Sequence, residues 1–136
     1  MTDLGAGLGD QPDMEMAVAA VLANNTDVKM LLRVLGTTLH DSLGDRVEIR
    51  HPGGMFHHRS DEVEAIAVHL AEDDYEANLE GHAIRCVVGR SSGGIRIRNE
   101  QFPVEQWLRR LLEALQQEAA GNQAARQALE NIVVGR

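Results

Sequence analysis

Ile84-Arg85-Cys86-Val87-Val88-Gly89-Arg90-Ser91-Ser92-Gly93-Gly94-Ile95-Arg96-Ile97-Arg98 is the stretch from which the fold is read. Ile84, Cys86 and Val88 point one way and Arg85 the other, and Ile95 and Ile97 likewise alternate with Arg96 and Arg98. A period of two is the mark of a strand with one buried and one wetted face. The Ser-Ser-Gly-Gly segment between the two runs has the composition of a hairpin turn. A strand–turn–strand unit therefore lies at the heart of the chain.

Working outward, the same alternation recurs upstream. Val47 and Ile49 alternate with Arg46, Glu48 and Arg50, and Pro52, Gly53 and Gly54 make a turn. Met55 to Ser60 follows as a hairpin tip or the lead into another strand. Val63 to Leu70 is more apolar, as expected of a strand inside the sheet. Glu72, Asp73 and Asp74 are expected to form an acidic turn into Tyr75 to Glu80, with Gly81 allowing the next reversal.

On both flanks the period changes to about 3.6. Asp13 is placed to cap a first helix ending near Asn24, with Met14, Val18, Val21 and Leu22 at helical spacing. Val28, Leu32, Leu35 and Leu39 stripe a second helix, about Asp27 to Ser42, which Gly44 stops. Pro103 suits the first turn of a third helix, whose apolar face is Val104, Trp107, Leu108, Leu111, Leu112 and Leu115. Glu105 with Arg109 and Arg109 with Glu113 are spaced for helical ion pairs of about 0.2–0.5 kcal/mol each. Gly121 and Asn122 end it and cap a fourth helix, Gln123 to Val134.

The expected architecture is an α+β two-layer sandwich. An antiparallel meander of four to five strands carries N- and C-terminal helices on one face and leaves the other polar. Residues 1–12 hold Gly5, Gly7 and Gly9 with little to bury and read as a mobile tail, and 13–136 as a single domain.

Composition narrows the function classes. Of 136 residues, 43% are hydrophobic and 25% charged, a globular balance. The formal charge of −8 disfavours a polyanion, and Phe56, Tyr75, Phe102 and Trp107 are too few aromatics for a base-stacking platform, so nucleic acid is not expected as a partner. The lone Cys86 cannot close an internal disulfide, and no apolar run reaches membrane-spanning length. A cytoplasmic protein without a membrane partner is the expectation.

Few residues point to chemistry. His51, His57 and His58 cluster in a Gly-containing loop and imidazoles ligate transition metals, but a site needs three or four convergent ligands and adjacent His57 and His58 diverge on a strand. A solvated hairpin tip with Phe56 in the core is the preferred reading, with neither metal nor cofactor. Cys86, on the apolar side of its strand, is expected to stay a protonated, buried thiol. Gly89 to Gly94 could be imagined to cradle a phosphate, but it lacks a P-loop's lysine and following helix. The acidic pairs Asp61–Glu62 and Asp73–Asp74 are read as solvated turns, because paired carboxylates become acid and base only in a cleft that separates their pKa values.

Arginine is the more informative constellation. Arg46, Arg50, Arg85, Arg96 and Arg98 are expected to share the polar sheet face with Glu48, Glu76 and Glu80. Cross-strand charge pairing, about 0.2–1 kcal/mol per pair, is the plain account. The functional account makes Arg50, Arg85, Arg96 and Arg98 a binding surface for an acidic or phosphorylated ligand.

Gly53 to Phe56, Ser92 to Ile95, Pro103 to Leu108 (Pro-Val-Glu-Gln-Trp-Leu) and Ala124 to Glu130 together resemble a family of small uncharacterised actinobacterial proteins over residues 27–134. That resemblance implies a bacterial cytoplasmic protein and brings no activity or functional residues. In architecture alone, helices flanking an antiparallel sheet in a small acidic chain are similar to type III secretion chaperones. Those usually place a helix within the strand series, which is not read between Val47 and Arg98.

The functional expectation is a non-catalytic interaction or adaptor module, chaperone-like in one form, working as a homodimer or with a protein partner. The alternative is a small-ligand or phosphate-binding domain using the arginine-bearing sheet face.

Overall fold

The computed structural model describes residues 14–52 and 62–134. The expected tail, the Asp13 cap and the 55–60 segment with Phe56, His57 and His58 lie outside the described residues. Helices α1 (Met14–Asn24) and α2 (Val28–Leu43) come first. A 3-10 turn (Gly44–Arg46) leads to strands β1 (Val47–Arg50), β2 (Ala65–Leu70), β3 (Asp73–Glu80), β4 (Ala83–Ser92) and β5 (Ile95–Phe102). Helices α3 (Val104–Ala119) and α4 (Gln123–Val134) close the chain. The fold is α+β: the strands form one antiparallel sheet in the order β1-β2-β3-β4-β5, with helices flanking it. Among the described residues no helix lies between β1 and β5, unlike the secretion-chaperone order.

Local chemistry sets the element ends. Asp27 caps α2 through its carboxylate, which accepts the Lys29 N–H at 2.8 Å, and Gly44 ends the helix at a φ of 62°. Asn122 caps α4, its Oδ1 accepting the N–H groups of Ala124 and Ala125 at 2.9 and 3.2 Å. Gly93 and Gly94 both have positive φ, 61° and 85°, the backbone of a tight hairpin turn whose twist matches the flanking strands. The phosphate-cradle alternative is replaced by that hairpin, and Ser91 and Ser92 belong to β4.

The core lies between the sheet and α2 and α3. Leu32, Leu35 and Leu39 of α2 pack over Val47, Ile66 and Val68, and Trp107, Leu108, Leu111, Leu112 and Leu115 of α3 are fully enclosed. Gly36 brings α2 close, since a Cβ there would meet the Ile66 Cγ2 at 2.9 Å. The Trp107 indole N–H donates to the Val87 carbonyl at 3.1 Å and so fixes α3 on β4. Helices α1 and α4 pack chiefly on the other helices, and the fully buried Ala125 and Ala128 let α4 approach α2 and α3.

Three expectations about the strands need correction. Asp73 and Asp74 are not in a turn: Ala71, at a φ of 56°, begins a tight Ala71–Glu72 reversal, so both aspartates fall in β3 with side chains only 23% and 17% exposed. The two isoleucines of β5 are not buried, being 68% exposed at Ile95 and 61% at Ile97. They lie on an edge strand near the hairpin end, where the helical layer does not cover them. Two of the arginines, Arg46 and Arg98, leave the polar face expected of them.

Candidate functional site

Strand register determines which side chains share the sheet face away from the helices. Val47, Val68, Tyr75 and Val88 form one row across the sheet, and Ile49, Ile66, Ala77, Cys86 and Phe102 another. These rows face the core. The intervening rows, Glu48–Ala67–Glu76–Val87–Gln101 and Arg50–Ala65–Asn78–Arg85, therefore face outward. His69, Asp74, Gly89 and Asn99 complete that open face.

Three of the five arginines expected there are present. Arg50 bonds Glu64 at 3.1 Å and Asn78 at 3.4 Å, and Arg85 reaches Gln101 at 3.5 Å. Arg96 is the most engaged, donating to Glu76 at 2.8 Å, to Asp74 at 3.2 Å and to Asn99. Its pKa is raised first by the Glu76 hydrogen bond. The guanidinium lies against Gly89, where any Cβ would collide with it.

Arg98 and Arg46 do not share this face. A bulge pairs Arg98 with Arg90 and Arg96 with Ser91, leaving Ile97 between them, so the two arginines two residues apart part company. Arg98 lines a small notch of about 120 Å³ on the helix side with Asp73, Arg90, Glu100, Phe102 and Arg110. There Asp73 accepts from Arg90 at 2.9 Å, raising the arginine's pKa, and the Arg110 guanidinium sits 4.4 Å from the Phe102 ring centroid. Arg46 precedes β1 and turns to the helical layer, donating to both Glu118 carboxylate oxygens at 2.8 and 2.7 Å and to the His69 carbonyl at 3.1 Å.

Sequence reasoning missed the hub of the open face, His69. Its Nδ1 meets Asp74 and its Nε2 lies 3.1 Å from Glu48, and hydrogen bonding to Asp74, partly opposed by burial, raises its pKa above the usual 6.5. Glu48, His69, Asp74, Arg96 and Glu76 thus make one continuous chain of alternating charge across four strands. Only register could reveal it, because its members are scattered over nearly fifty residues of sequence. Beside it, the small side chains of Ala65 and Ala67 leave a shallow trough of about 410 Å³ bordered by Glu48, Arg50, Glu76 and Asn78.

Burial pushes the Cys86 thiol up to about 12, so the thiolate nucleophile is suppressed at neutral pH. The His51 Nδ1–H donates to the Glu62 carbonyl at 2.7 Å, while His57 and His58 lie outside the described residues. No helix among the described residues is long and apolar enough to cross a membrane. Comparison with protein-family models, with curated proteins and with solved structures found no match for this chain.

Proposed function

We propose that this protein is a non-catalytic interaction module that engages a protein through the open sheet face and its β5 margin. The observation that carries this reading is the asymmetry of the sheet. One face is filled by leucine-rich helices, whereas the other presents ordered charge around an alanine-floored trough and runs out into a strand exposed from Ile95 to Gln101, with Ile95 and Ile97 in solvent. Charged side chains held by their neighbours lose little further freedom on docking, which favours their use in recognition. Cytoplasmic location and a bacterial, adaptor-like setting belong to the same proposal.

The same pairing weighs against the anion-binding alternative on this face. A phosphate arriving at Arg96 would have to displace Glu76 and Asp74, and Arg50 and Arg85 stand in another row, on β1 and β4, with partners of their own. The non-catalytic part is supported by the protonated, enclosed Cys86.

Affinity capture with the purified chain tests this reading against two variants. Ala67→Arg fills the trough and Ile97→Lys removes apolar surface from the margin. A protein held by the parent chain and released by either variant, with unchanged melting temperatures, is the expected result. Equal retention by all three, or turnover of a substrate that His69→Ala abolishes, would overturn it.

A further inference from the structure

We infer that the β5 margin pairs with β5 of a second copy of this chain, antiparallel and centred on Asn99, so that two five-stranded sheets join into one. This rests on the interaction-module reading and names its partner. Strand β5 is the last of the sheet, eight residues long and exposed along nearly its whole length, so one side of its backbone ladder has no strand partner among the described residues. Edges of this kind are usually blunted by brevity, as in the four-residue β1 at the other margin.

Charge decides the partner and the register. Arg98 stands directly opposite Arg90 of β4, a like-charge cross-strand pair, and Asp73 is engaged by Arg90. Among the described residues neither Arg98 nor Glu100 has a hydrogen-bonded or ion-pair partner. Both lie on the helix side of β5, two positions apart and flanking Asn99.

A two-fold axis through Asn99 sets each Arg98 opposite Glu100 of the second copy, twice over by symmetry, and brings a carboxylate to the uncompensated side of the Arg90–Arg98 pair. Pairings that keep the helices on one side must slide by two residues. One such slip sets Arg98 against Arg98 and the other Glu100 against Glu100, both repulsive. The strand is therefore complementary to itself in one register and opposed to itself in the neighbouring ones. The bulge at Ile97 leaves Arg98, Asn99 and Glu100 regular, the three central positions of this pairing, while Gln101 and Phe102 fall opposite the bulged Ile97 and Arg96 of the second copy.

Sedimentation equilibrium at high micromolar concentration should find a dimer for the parent chain. Arg98→Glu and Glu100→Arg should each yield monomers that keep the parent's far-ultraviolet circular dichroism, and the double exchange Arg98→Glu/Glu100→Arg should restore the dimer. Independently of charge, Asn99→Cys should form an intermolecular disulfide under mild oxidation, because residues facing each other across antiparallel strands have Cα atoms about 4.5–5.5 Å apart. The buried Cys86 should not compete, and cysteines at Ile97 or Gln101 should crosslink more slowly. A monomeric parent chain, failure of the double exchange to rescue, or faster crosslinking at Ile97 than at Asn99 would each overturn this pairing. A monomer that still captures another protein through the Ala67 trough would sink self-pairing and leave the interaction-module reading standing.

Discussion

Ala71 is held at a φ of 56°, a conformation that costs an L-residue about 1–2 kcal/mol, and it does so to turn β2 into β3 without wasting Asp73 or Asp74. Ala71→Gly should therefore raise stability by about 1 kcal/mol, offset in part by greater freedom in the unfolded chain, as read from urea midpoints. His69 makes the second prediction at this scale. Its folded pKa is raised, so its charged form stabilises the fold fully below the ordinary value of 6.5, and that contribution fades as pH rises through the elevated folded value. Chemical denaturation from about pH 6 to about pH 8.5 should show a loss of stability that His69→Gln lacks. The effect is small, because His69 is 41% exposed and its partner Glu48 is 74% exposed.

At the scale of elements, the contact between α2 and the sheet depends on Gly36. Alanine there would gain about 1 kcal/mol of helix propensity but press its methyl into a β-branched Ile66 that cannot swing away. Overpacking of this kind costs about 1–3 kcal/mol, so Gly36→Ala should be net destabilising or neutral and Gly36→Leu severely destabilising, in thermal unfolding. The contact between α3 and β4 depends on Trp107 in a different way. Trp107→Phe keeps most of the apolar volume but removes the indole N–H that bonds the Val87 carbonyl, and should lower stability by about 0.5–1.5 kcal/mol. Restoring the donor without the ring is not possible at that position, since Trp107 is fully enclosed. The ion pairs of α3 contribute less. Arg109 meets Glu113 at 3.1 Å as its spacing predicts, and its other contact is Glu15 of α1 at 3.2 Å, both pairs being largely exposed.

For the whole molecule, the sheet should open from its margins. Strand β3 has neighbours on both sides and carries the fully buried Ala77, whereas among the described residues β5 has one neighbouring strand and no helix over its hairpin end. In dilute protein, hydrogen exchange should release β5 amides at least about tenfold faster than those of β3. If two copies pair through β5, that difference should shrink as protein concentration rises, which ties the exchange pattern to the assembly. The molecule thus separates its tasks: the helical side supplies stability, and the open face and β5 margin are left for contact.

The element types, most of their ends and the inward rows of β1 to β4 were legible in the amino-acid order, because a period of two or of 3.6, a capping Asn122 and a Gly93–Gly94 pair act over a few residues. What tertiary structure alone decided was which charges meet. His69 finds Asp74 and Glu48, Arg46 leaves the sheet for Glu118, and one bulged residue, Ile97, sends Arg98 to the opposite face from Arg96. Local order encodes backbone conformation, but register and bulges arise from long-range pairing, and a shift of one residue there reverses every side chain beyond it.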